Sequence, residues 1–111
     1  MRIALTIAAF IVTSSIALAA DALAPSAIVA SPSTYDGKSV TVTGKVSDFQ
    51  TSQTMMGTVA GYQLCDEKCV VVIDQTNQTQ TNGSTATVTG TFHATFKAPR
   101  KTFTNAVVIS K

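Results

Sequence analysis

Cys65 and Cys69 close the stretch CDEKC, and three kinds of chemistry could use them. As thiolates they could form a redox pair or give soft ligands to a metal; oxidised, they would staple a hairpin. Three residues separate them, rather than the two of thioredoxin-like motifs, and no helix follows to lower a thiolate's pKa. A soft-metal (copper) site would have to complete its set from Met55, Met56 and His93, the only histidine in the chain. A second group is basic: Lys97, Arg100 and Lys101 lie between Phe96 and Phe103. A basic loop beside aromatic rings can hold an anionic strand by charge and stacking. Asp36, Asp48, Asp66, Glu67 and Asp74 fall at expected turns or strand ends, without an apolar pocket or the paired spacing of a general acid and base. No nucleophile motif and no glycine-rich phosphate loop stands in the sequence, so no enzyme activity is expected and no cofactor is implied.

What the cysteines do depends on the compartment, and the N-terminus speaks to that. Met1-Arg2 opens an uncharged stretch from Ile3 to Ala20, with an apolar centre over Ile7–Val12 and a small-residue exit at Ala17-Leu18-Ala19. Charge, apolar run and small-x-small exit together predict a secretory signal peptide over 1–20. Cleavage is expected before Ala20; Leu18-Ala19-Ala20 and Ala22-Leu23-Ala24 offer later cuts. The competing reading, a membrane anchor, is disfavoured by Thr6, Thr13, Ser14 and Ser15 and by the lack of a basic stop-transfer flank, so no span is expected after cleavage. No cysteine near the cut suggests a lipoprotein. The expected address is the periplasm or the outside, where a cysteine pair is ordinarily a disulfide. Closing so short a loop stabilises by about 2 kcal/mol in the chain-entropy model.

The remainder, 21–111, is long enough for one domain with a modest core. Of eight Lys/Arg, one is Arg2, so seven remain against six Asp/Glu, a balance with no general pull toward nucleic acid or anionic membrane. Its Thr, Val and Ser content favours strands.

Ala24-Pro25-Ser26 predicts a short helix over Ala27–Ala30, stopped by Ser31-Pro32-Ser33. Val40, Val42, Gly44 and Val46 alternate with Thr41, Thr43 and Lys45, a half-buried strand that runs toward Phe49 with the parity slip of a bulge. Gln50–Gly57 reads as a loop. Strands follow over about Thr58–Cys65 and Cys69–Asp74; a three-residue turn sets Leu64 against Val70, Tyr62 against Val72 and Cys65 against Cys69. Gln75–Gly83 reads as a solvated connection. The fourth strand faces Ala86, Val88, Gly90, Phe92, Ala94 and Phe96 inward, with His93 on the polar face. A turn over Lys97–Lys101 leads to a fifth strand over Thr102–Ser110. Gly44 and Gly90 sit at inward mid-strand positions in matching segments, where a small barrel needs a bend or a close backbone approach. The expected fold is all-β, a small five-stranded barrel with a short N-terminal helix.

The segments TYDGKSVTVTGKV, YQLCDEKCVVVID, STATVTGTFHATF and TFTNAVVIS together resemble the oligonucleotide/oligosaccharide-binding (OB) fold in its small exported bacterial form. The pattern is similar to periplasmic stress-associated domains of that fold and to the barrel domain of the cytochrome c maturation haem chaperone. The resemblance implies a binding or adaptor protein, with Lys97, Arg100, Lys101 and Phe103 bordering the ligand face. An anionic ligand or an envelope protein is the implied partner. Nucleic acid is scarce in that compartment, and a monomer is expected. The haem chaperone attaches its cargo through a histidine after the barrel; no histidine follows His93, so that activity is not expected here. Copper chaperones of this fold cap their metal with an aromatic ring, and this chain has no tryptophan.

Overall fold

A computed structural model of the chain describes residues 22–55, 57–98 and 101–110. The expected signal peptide over 1–20, Met56 and Arg100 lie outside the described residues. The described residues form six strands: β1 (Ala22–Leu23), β2 (Ser39–Thr54), β3 (Gly57–Cys65), β4 (Cys69–Asp74), β5 (Thr85–Lys97) and β6 (Thr102–Ile109). Two short helices, α1 (Pro25–Ala30) and α2 (Pro32–Tyr35), precede β2.

All six strands belong to one sheet of order β1-β2-β3-β4-β6-β5, and β5 pairs back onto β2. The long β2 makes this curling possible: Ser39–Lys45 pair with β5, and Lys45–Thr54 pair with β3. β4 and β6 run parallel, as do β1 and β2; the other pairings are antiparallel. The ring is partial, because β5 pairs with β6 only from Thr91 onward. A seam therefore stays open between the start of β5 and the end of β6.

The two-residue alternation read along β2 is the alternation of burial. Val40, Val42 and Val46 point into the core with Leu64, Val70, Val72, Val88, Phe92 and Val107. Each such side chain stabilises by roughly 1.5–3 kcal/mol when fully buried. Outside, Thr41 and Thr43 hydroxyls bond those of Thr89 and Thr87 at 2.9 and 2.8 Å, a cross-strand threonine ladder. The bulge lies where the parity slips. The register shifts between Ser47 and Gln50, Asp48 adopts φ 56°, and Phe49 turns to stack 5.9 Å from the Tyr62 ring. The left-handed backbone at Asp48 is unfavourable by about 1 kcal/mol or more. The Phe49 N–H donating to Asn82 Oδ1 at 3.0 Å holds it in place.

The two inward glycines mark close approaches. A methyl on Gly44 would sit 3.1 Å from the Cys65 backbone and from Pro25 Cγ. One on Gly90 would lie 2.5 Å from the Val108 carbonyl oxygen and 2.9 Å from Val107 Cγ1.

The structure departs from the sequence reading in three places. The helix begins at Pro25, which suits a first helical turn because its missing N–H needs no partner there. Ser31-Pro32 ends it as expected, and Pro32 then opens a second helical turn. Residues 50–54, and Gly57 at the start of β3, are strand rather than loop: the ladder continues from Gln50↔Gly61 to Thr54↔Gly57. Those positions are exposed on both faces, so they carry no apolar alternation from which a strand could be read. β1 brings the strand count to six rather than five; two residues are too short for any periodicity. The register across CDEKC is as expected, with Tyr62↔Val72, Leu64↔Val70 and Cys65↔Cys69.

Candidate functional site

The described chemistry gathers in three places. The first is the β3–β4 turn, where Cys65 and Cys69 form a disulfide with their Cα atoms 4.1 Å apart. The Asp66 carboxylate accepts from the Lys68 N–H within the turn, and from the Ser26 N–H and hydroxyl at 3.0 and 2.6 Å. These bonds hold its pKa below the ordinary 3.8, the Ser26 hydroxyl contributing most. They also tie α1 across the barrel end, where Ile28 is fully buried. Staple, carboxylate and helix therefore form one structural unit.

The second place is the tip of the β5–β6 hairpin. Phe96 pairs directly across from Phe103, and Lys97 across from Thr102. Both rings are half-buried while Lys97 and Lys101 are exposed. The Lys101 ammonium lies 5.2 Å from the centre of the Phe103 ring, within cation–π range. The His93 ring sits 5.5 Å from that of Phe96. Backbone bonds between Ala98 and Lys101 close the turn. Lys97, Lys101 and Phe103 are thus brought together as the spacing suggested.

The described residues of the soft-metal alternative are dispersed. Met55 is fully exposed at the β2–β3 tip and His93 stands mid-strand on β5. Cys65 and Cys69 lie at the far end of β3 from Met55, ~25 Å along an extended strand. Among the described residues no group of three or more His, Cys, Asp or Glu is placed to hold a metal.

The third place was not expected from sequence. At the open seam lies a cavity of 230 Å³ whose floor is Tyr62 and Asp74. Thr76, Gln78 and Gln80 of the loop after β4 form one wall, and Thr87–Thr89 of β5 the other. Asp74 ends β4, as its sequence position implies, yet it is only 2 % exposed, which corrects the reading of it as an ordinary strand-end acid. Its carboxylate accepts from the Thr76 N–H and hydroxyl and from the Gln78 N–H, and so fastens the loop over the barrel end. Tyr62 is 3 % exposed, and its hydroxyl has no hydrogen-bond partner among the described residues. Burial, and then the negative charge of Asp74, push its pKa up to about 12. Gln80 approaches closely enough to offset part of that rise, without completing a hydrogen bond to the hydroxyl. A buried orphan hydroxyl costs about 1–3 kcal/mol, so it marks a place where a partner is wanted.

No family model, no curated protein and no solved structure matches this chain. Any functional reading therefore rests on the geometry above.

Proposed function

We propose that this chain is an exported binding module, built on an OB-type barrel, that takes an anionic ligand at the tip of the β5–β6 hairpin. The observation that carries the reading is the Lys101 ammonium over the Phe103 ring, with Phe96 alongside and Lys97 flanking. Charge and aromatic surface at one exposed tip suit an anion with a flat or apolar face. The barrel type is supported by the ring order β2-β3-β4-β6-β5 and back to β2, a partly open five-stranded arrangement. In that class the loop joining the last two long strands borders the ligand face, and here that loop is the basic tip. Export is supported by the N-terminal pattern and by the disulfide, which persists in oxidising compartments. Among the described residues no helix is long and apolar enough to cross a membrane.

The test is retention of the mature chain on an immobilised sulfated polysaccharide, eluted with a salt gradient. The triple variant Lys97→Ala, Arg100→Ala, Lys101→Ala should elute at clearly lower salt. Phe103→Ala, which removes no charge, should also elute earlier. Elution of both variants at the wild-type position would sink the reading. A shift in the triple variant alone would reduce it to plain ion exchange. Mass analysis of chain recovered outside the cytoplasm would locate the cleavage site expected before Ala20.

A further inference from the structure

We infer that the cavity at the barrel seam is a second binding site, selective for a small uncharged polyhydroxylated molecule such as a single sugar ring. The cavity lies away from the basic tip: its floor is the end of β4, and it opens where β5 has not yet met β6. Its volume of 230 Å³ is below the ~300–1,000 Å³ of sites for drug-sized ligands, so it suits one ring rather than a chain of them.

The lining fixes the chemistry. The Tyr62 hydroxyl is buried and unpartnered, and it can both donate and accept. Gln78 and Gln80 carry carboxamides, each offering an acceptor and two donors. Thr87 and Thr89 line the opposite wall, but their hydroxyls turn outward to Thr43 and Thr41, so what β5 offers there is the backbone edge that β6 does not pair before Thr91. Among the described residues the only formal charge in the lining is the Asp74 carboxylate. An anion would meet that charge without a cation to offset it. A cation would find Oδ1 filled by the Thr76 N–H and hydroxyl and one position left on Oδ2 beside the Gln78 N–H, with no second carboxylate in the described lining. A neutral molecule with alternating donors and acceptors can meet the Tyr62 hydroxyl and the Gln78 and Gln80 carboxamides without bringing a second charge beside Asp74. Val88 and Ile109 add an apolar strip against which the C–H face of a ring can lie.

The alternative is that ordered water alone satisfies Tyr62, and the experiment separates the two. The disulfide-intact mature chain, isotopically labelled, is titrated with N-acetylglucosamine, with glucose and with glycerol, each to tens of millimolar, and with inorganic phosphate as the charged comparison. At least one neutral probe should shift the amide resonances of residues 76–80 and 87–89 in a saturable way, and phosphate should not. Tyr62→Phe, which keeps the ring and removes only the hydroxyl, should weaken that probe by about tenfold while leaving the rest of the spectrum in place. Gln80→Ala, which removes a lining carboxamide and leaves the buried Tyr62 ring and hydroxyl in the chain, should weaken it too, so a folding defect in one variant leaves the other to decide. Three outcomes overturn the inference: no saturable shift with any neutral probe, which leaves water as the occupant; tighter binding of phosphate; or unchanged affinity in both variants. The Lys97, Arg100, Lys101 triple variant should bind the neutral probe as wild type does, so this test and that of the basic tip fail independently.

Discussion

The hairpins β3–β4 and β5–β6 are built from similar strands, yet their tips are held in opposite ways. The first is crossed by a disulfide, its Asp66 is bonded to α1, and its inward neighbours are fully buried. The second is closed at its tip by backbone bonds between Ala98 and Lys101, and it leaves two lysines exposed and two rings half-covered. Each hairpin is seated through one glycine: Gly44 backs onto Cys65 of the stapled turn, and Gly90 onto Val108 of the free hairpin's second strand. The difference separates the parts that fix the barrel from the parts left for recognition. Recognition groups that stay exposed contribute little to stability, so the fold must be secured elsewhere.

The largest effect should come from the seat of the free hairpin. Gly90→Ala would set a methyl 2.5 Å from a backbone oxygen that cannot swing aside, and a loss of about 3 kcal/mol is expected by denaturant unfolding. A loss under about 1 kcal/mol would mean that β6 moves freely, and the tip's geometry would then be no guide to its ligand. Replacing both Cys65 and Cys69 by Ser should cost about 2 kcal/mol and leave retention on the sulfated polysaccharide unchanged. Retention lost together with the staple would break the division of labour. Gly44→Ala, whose nearest contacts are at 3.1 Å, should cost about 1 kcal/mol, less than its counterpart.

Two further effects are those of pH. Asp66 has a lowered folded-state pKa, so its tie to Ser26 is fully in place above the ordinary 3.8 and is lost as pH falls through the lower folded value. Amide exchange at Ser26 should therefore accelerate at strongly acid pH before the strands open, and no change there would detach α1 from the stapled unit. Tyr62 is the mirror case. Its folded pKa is raised, so its contribution is complete below 10 and declines between 10 and about 12. Alkaline destabilisation in that window should vanish in Tyr62→Phe, as followed by circular dichroism.

Much of the barrel was legible because it depends on short-range pattern. The parity slip before Phe49 showed a bulge, and the structure puts left-handed Asp48 there. The three residues between the cysteines set the hairpin register, since any other pairing would turn Leu64 away from Val70. The inward glycines pointed to close approaches, though which backbone each would meet could not be read. The polar strand over 50–54 was illegible because solvent on both faces leaves no alternation to see. Lys101 and Phe103 are near neighbours in sequence, so the basic tip could be proposed from spacing, whereas its cation–π contact belongs to the folded turn.

The cavity shows where such reading ends. Tyr62 and Asp74 each look ordinary in sequence, one an inward strand aromatic and the other an acid at a strand end. They become a site only because β4 ends beside an open seam, the loop from 75 folds back over Asp74, and β5 passes opposite. The amino-acid sequence by itself determined the strand pattern, the register of the stapled hairpin and the residues of the basic tip, because periodicity and tight turns are local. Only the tertiary structure decided which polar groups are shut away from water. Burial is a property of the closed sheet, and no single segment carries it.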